Sequence, residues 1–69
     1  MNGYKRTVMT IDNVTIDDHI KVSGVLYRIT AIEKIGTAYL IQFQNVRRPI
    51  LNGMLTLETN TLMHIWNQK

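Results

Sequence analysis

Residues 20–46 read I-K-V-S-G-V-L-Y-R-I-T-A-I-E-K-I-G-T-A-Y-L-I-Q-F-Q-N-V, and the fold turns on them. In the second half Tyr39, Ile41 and Phe43 alternate with Leu40, Gln42 and Gln44, the period of a β-strand with one face on a core. In the first half Tyr27, Ile29 and Ala31 face one way and Leu26, Arg28 and Thr30 the other. The phase then slips, because Ile32 and Ile35 are an odd number of positions apart. One extra residue within 31–34, a β-bulge, keeps both isoleucines at the core while bending the strand. A bend of that kind lets a small sheet curl into a barrel. Ser23-Gly24 supplies a tight turn or a bulge before this long strand, and Ile35-Gly36-Thr37 supplies the turn after it.

Outward from this hairpin the chain continues to read as β. Residues 4–11 form a first strand with Met9 and Ile11 on one side and Val8 and Thr10 on the other; Asp12-Asn13 breaks it. Residues 14–16 stay extended, and Asp17-Asp18 offers side-chain acceptors suited to a turn. Past the hairpin, residues 45–49 form a connection carrying Arg47 and Arg48, with Pro49 fit only for an edge or a strand start. Asn52-Gly53, between Ile50-Leu51 and Met54-Leu55, reads as a type I′ hairpin turn. Leu55 and Leu57 then face in, and Thr56 and Glu58 out. In the C-terminal T-N-T-L-M-H-I-W, Asn60 or Thr61 caps a single helical turn that groups Leu62, Ile65 and Trp66, or the segment pairs as a last strand; the helical turn is the preferred reading. The expected fold is all-β: one domain over residues 1–69, a small, five-stranded, strongly bent antiparallel barrel with a short C-terminal helical turn.

Sixty-nine residues cannot divide their apolar side chains between two cores, which sets the domain count at one. A domain of about 60 residues buries only ~60% of its unfolded surface, so a partner or another copy of the chain is a natural completion of the core. At 45% hydrophobic and 19% charged residues the composition is that of a globular protein rather than a disordered one. The absence of cysteine excludes disulfides and thiolate metal sites and points to an intracellular, cytoplasmic setting. The N-terminal residues lack the apolar run of a signal peptide, and no stretch approaches membrane-spanning length, so no membrane partner is expected. A formal charge of +3 permits a nucleic-acid partner and is also an ordinary means of staying soluble.

Several short strands with tight turns in under 70 residues point to a small barrel of the Src-homology-3-like kind. Residues 17–32, D-D-H-I-K-V-S-G-V-L-Y-R-I-T-A-I, resemble the opening of KOW-type barrels, where an acidic residue, an apolar-x-apolar strand and a glycine precede a long bent strand. The resemblance covers roughly a quarter of the chain. It lacks the second glycine of the KOW motif, since Tyr27 and Arg28 stand in that region. Sm-like barrels are similar in size and share a long bent hairpin, but the Arg-Gly pair typical of their later strands is missing. These resemblances imply the barrel type and nucleic-acid or ribonucleoprotein contact.

The candidate chemistry is cationic. Lys21 and Arg28 fall on outward-facing strand positions, Lys34 in the bulged end, and Arg47-Arg48 in a loop near the end of the same hairpin, with Lys5 and Arg6 adding charge at the N-terminus. Aligned in one stripe, such residues neutralise phosphates; otherwise they form a solvated face. Among the aromatics, Tyr27, Tyr39 and Phe43 share the inward phase and read as core, while Tyr4 and Trp66 are freer to touch a partner. Trp66 equally suits the closing of the barrel's end. Met54 and Met63, with Met9, Ile50, Leu51 and Leu62, suit either an adaptable apolar patch around the last hairpin for a protein partner or core filling.

Enzymatic chemistry finds no foothold. His19 beside Asp17 and Asp18 reads as a turn with an exposed imidazole, because a metal site takes three or four converging ligands and no cofactor motif accompanies it. Ser23, the sole serine, sits in a turn without a base, and the four glycines are too dispersed for a phosphate loop. The reading is therefore a non-enzymatic binding module. Its expected partner is nucleic acid, contacted through Lys21, Arg28, Lys34, Arg47 and Arg48. The rival is a small inhibitor or adaptor, of the kind phages and mobile elements encode, binding a protein through Tyr4, Met54, Met63 and Trp66.

Overall fold

The computed structural model describes residues 3–68, and its long hairpin forms where two turns dictate. Ser23 (φ 52°) and Gly24 (φ 78°) both take the left-handed region, the signature of a two-residue type I′ turn. They join β2 (His19–Val22) to β3 (Val25–Ile35), with Val22 opposite Val25. Gly36 (φ 62°) stands first in the Gly36-Thr37 turn, as a type II′ turn requires, and leads into β4 (Ala38–Asn45). β5 (Asn52–Glu58) completes an antiparallel sheet in the order β2-β3-β4-β5. β1 (Tyr4–Thr10) and β6 (Leu62–Gln68) form a second, two-stranded antiparallel sheet. The molecule is mainly β, its four-stranded sheet curled into a half-barrel.

The curl originates in a β-bulge. Ile29 faces Phe43 and Ala31 faces Gln42, so Thr30 is the extra residue, its hydroxyl donating to the Gln42 carbonyl at 3.3 Å. The bulge lies just before the expected interval of 31–34. Its position puts Ile29 and Ile32 on the inner face but leaves Ile35 out of phase, 57% exposed, where the sequence placed it at the core.

Ile29 and Ile41 from the curled sheet, Ile65 from β6 and Ile11 are fully buried, and Val14, Ile20, Phe43 and Met63 complete the core. Burying one such isoleucine contributes about 1.5–3 kcal/mol, so these four residues carry much of the fold. Met9, Tyr27, Ile32, Tyr39 and Leu57 pack around them, as their strand phases predict. Ile11 belongs to a single 3-10 turn, Ile11–Asn13, whose first N–H donates to the Thr61 carbonyl at 3.0 Å. That turn carries the chain from one sheet to the other.

Two expectations are corrected. The C-terminal segment is a strand, making six strands rather than five: Met63 and Ile65 point inward at period two, while Leu62 and His64 are exposed and Leu62, Ile65 and Trp66 do not form one helical face. The reason is nonlocal. Tyr4–Thr10 pairs residue for residue with Leu62–Gln68, satisfying backbone groups that a single helical turn leaves open. Asn52-Gly53 is likewise no turn but the start of β5, with Gly53 opposite Phe43. A side-chain Cβ at Gly53 would stand 3.0 Å from Cε1 and Cζ of Phe43, so the glycine is there for the ring.

A polar network ties the sheets together. The Asp18 carboxylate accepts from the Thr15 N–H (2.9 Å) and from Asn67 Nδ2 (2.8 Å), while Asn67 Oδ1 meets His19 Nδ1 at 3.3 Å. Asp12 of the 3-10 turn lies close enough to Tyr39 of β4 to act on its phenol. Desolvation of the half-buried phenol raises its pKa above the ordinary 10.0, and the hydrogen bond and negative charge of Asp12 raise it further.

Two outcomes follow from this packing. Gly53→Ala lowers stability in urea by about 1–3 kcal/mol through overpacking, and the loss shrinks in a Phe43→Leu background, where the ring is gone. Because Tyr39 holds its proton more tightly folded than unfolded, its contribution to stability is complete below pH 10 and lost as the pH rises through its folded value. In an ultraviolet titration, Asp12→Asn moves the Tyr39 phenol downward.

Candidate functional site

The basic residues singled out in the sequence do not form one stripe. Arg28, half-buried on β3, is neutralised: its Nη1 lies 2.7 Å from Asp17 Oδ1 and its Nη2 3.5 Å from Gln44 Oε1. Asp17 is held for this role in the left-handed region (φ 79°), its N–H donating to the Ile29 carbonyl at 2.9 Å. Lys34 lies opposite Tyr39 near the β3–β4 turn, its Nζ 5.8 Å from the ring centroid. From Arg28 to Lys34 is six residues of strand, about 20 Å. Arg28 and Lys34 therefore stand far from one another, and the Arg28 charge is taken up by Asp17.

Arg47 and Arg48 are better placed. The Asn45 side-chain oxygen accepts both of their backbone N–H groups at 2.9 Å, an Asx-type turn, and the loop is closed by Leu51 N–H to the Arg48 carbonyl and Asn45 N–H to the Leu51 carbonyl, both 2.8 Å. Both arginine side chains are exposed, and among the described residues only Arg28 makes an ion pair with a carboxylate. The two line a groove of about 700 Å³ whose other walls include Tyr4, Val25, Leu26 and Leu51. Tyr4 thus joins the arginines, its ring edge-on to His19 at 5.5 Å. The sequence reading missed Val25 and Leu26, and it put Leu51 in an apolar patch with the methionines rather than beside the arginines. The signal for Val25 was present: it is an apolar residue beside a turn, where a strand's apolar face runs out to solvent.

Lys21 occupies the neighbouring surface. Its Nζ stands 4.0 Å from the Trp66 ring centroid, and Arg6, the cross-strand partner of Trp66, brings its guanidinium carbon to 6.0 Å. Two cations from the strands flanking β6 thus engage one half-buried indole, and Trp66 acts first as a clamp between β1, β6 and β2. Met54 is exposed, as a surface contact requires, whereas Met63 is in the core and cannot meet a partner: it has the inward phase of β6 that the helical reading obscured.

Asp17 and Asp18 engage Arg28, Thr15 and Asn67 as turn acceptors. His19, however, is the first residue of β2, and its imidazole is half-buried against Tyr4 and Asn67 rather than exposed, because the strand pairing carries it between the two sheets. Among the described residues no three His, Cys, Asp or Glu side chains are placed to hold a metal ion. No helix among them is long and apolar enough to cross a membrane. No family model, curated protein or solved structure matches the chain.

Trp66 is the sole tryptophan, so its fluorescence reports the clamp. Lys21→Ala shifts the emission to the red and lowers stability by about 0.5–1 kcal/mol, whereas Lys34→Ala leaves the emission unchanged.

Proposed function

We propose that this chain is a non-enzymatic nucleic-acid-binding module built on a small barrel of the Src-homology-3-like kind, with the groove beside Arg47 and Arg48 as its working surface. The observation that carries the reading is the pairing of two exposed, carboxylate-free arginines with an apolar groove that also holds a tyrosine. Arginines neutralise phosphates, while Tyr4, Val25, Leu26 and Leu51 offer unpaired bases an aromatic and apolar surface. A single strand suits this arrangement, because its bases are free to enter a groove. Lys5, Arg6 and Lys21 extend the positive field, and the Arg28 charge is cancelled by Asp17.

A protein partner is the second reading, favoured by one observation: Ile50, at the tip of the same loop, is 85% exposed, and Met54 just beyond it 61%. An inhibitor or adaptor would seat these side chains in a partner's pocket, with the arginines at the rim.

The test is binding of a labelled single-stranded oligonucleotide across a salt series. Affinity falls steeply with salt, and Arg47→Ala with Arg48→Ala reduces the slope of log K against log salt by about 1.4, two single-strand phosphate contacts' worth. Lys34→Ala, at the far end of the sheet, changes the slope little. Absence of binding at low salt overturns the reading. An Ile50→Asp-sensitive protein partner that survives nuclease in a native pull-down establishes the second instead.

A further inference from the structure

The two edges of the four-stranded sheet differ. β2 is four residues long, carries Lys21 and runs beside β6. β5 is seven residues long, contains neither lysine nor proline and pairs with β4 without a register shift. Lysines, prolines, bulges and short length are the usual devices that keep an edge strand from pairing with another chain. Those devices are missing from β5.

The hydrogen-bond parity shows which groups this edge offers. The Asn45 N–H donates to the Leu51 carbonyl and the Thr59 N–H to the Thr37 carbonyl, fixing the odd-numbered residues of β5 as those bonded to β4. The N–H and C=O groups of Asn52, Met54, Thr56 and Glu58 accordingly point away from β4. The Glu58 carbonyl takes the Thr61 N–H at 3.0 Å, so Met54 and Thr56 lie at the centre of the edge with both groups outward.

We infer that β5 pairs antiparallel with β5 of a second copy of this chain, centred on Leu55, joining two half-barrels through one eight-stranded sheet. The sequence of the strand fits itself in that register. Met54 falls opposite Thr56 of the second copy, Leu55 opposite Leu55, and Asn52 opposite Glu58, the only charged residue of the strand. No like charges meet, all seven residues are paired, and the outward backbone groups of Met54 and Thr56 all meet partners in the second copy. Leu55 has the inward phase yet is 38% exposed, so the open side of the half-barrel leaves apolar surface for the second copy to cover. This pairing is independent of the nucleic-acid reading.

The experiment is sedimentation over a range of protein concentrations, with amide hydrogen exchange on the unaltered chain. A dimer is expected, with slow exchange at Met54 and Thr56 that accelerates on dilution. Met54→Glu with Thr56→Glu places carboxylates opposite one another twice per dimer and raises its dissociation constant about tenfold or more. Met54→Lys with Thr56→Glu places opposite charges there and restores the dimer. A chain monomeric at every concentration overturns the inference. So does a dimer in which the Met54 and Thr56 amides exchange freely, or one indifferent to the paired carboxylates. If the carboxylate variant fails to fold, exchange on the unaltered chain decides.

Discussion

At Thr30 two residues of β3 face one residue of β4, and the strand changes phase there. Without the extra residue, Ile29 and Ile32 would point to opposite faces, and β3 would offer the core half of its apolar surface. With it, both isoleucines turn inward over Ile41 and Phe43, and the local twist increases enough to fold the sheet around them. The gap left by the curled sheet is filled from the other sheet by Met63 and Ile65 and from the 3-10 turn by Ile11. A flat meander of the same strands would have no concave side to receive them.

The strand periods were legible because they depend on local alternation. Tyr39, Ile41 and Phe43, and the turn at Ser23-Gly24, are where the alternation and the turn chemistry place them. The failures share a cause in long-range structure. Asn52-Gly53 has the chemistry of a type I′ turn, but its glycine is required by the Phe43 ring ten residues earlier, a demand no local window reveals. Residues 62–66 satisfy a helical spacing through Leu62, Ile65 and Trp66 and a strand spacing through Met63 and Ile65. The partner strand, more than fifty residues away, decides between them. The phase slip in β3 showed that a bulge exists but located it too late, because Ile35 looked like a core residue and is a surface one.

The candidate site was legible as chemistry and illegible as geography. Every basic residue is visible in the sequence; which of them is cancelled is not. Arg28 lies on an outward position, yet a left-handed Asp17 eleven residues earlier is held where its carboxylate meets the guanidinium. Lys21 also faces out, and Trp66 from β6 comes beneath it. Arg47 and Arg48 escape such pairing because Asn45 occupies their backbone rather than their side chains. The same loop brings Leu51 back against Val25 and Leu26, so charge and apolar surface converge where the chain leaves β4 and returns as β5.

That convergence couples the groove to the sheet. The Asn45 N–H to Leu51 carbonyl bond continues the alternation of the β4–β5 ladder and is also the bond that closes the arginine loop. Slippage of β5 along β4 by one residue would break this closure, remove Gly53 from beneath Phe43 and turn Leu57 away from Tyr39. Register in β5 is therefore under three constraints at once, while among the described residues its outer edge is tied only at its end, where the Glu58 carbonyl takes the Thr61 N–H. An edge so firmly held on one side presents a straight, ordered row of backbone groups on the other. It templates pairing with little further loss of conformational entropy, and the same order fixes the backbone from which Arg47 and Arg48 project.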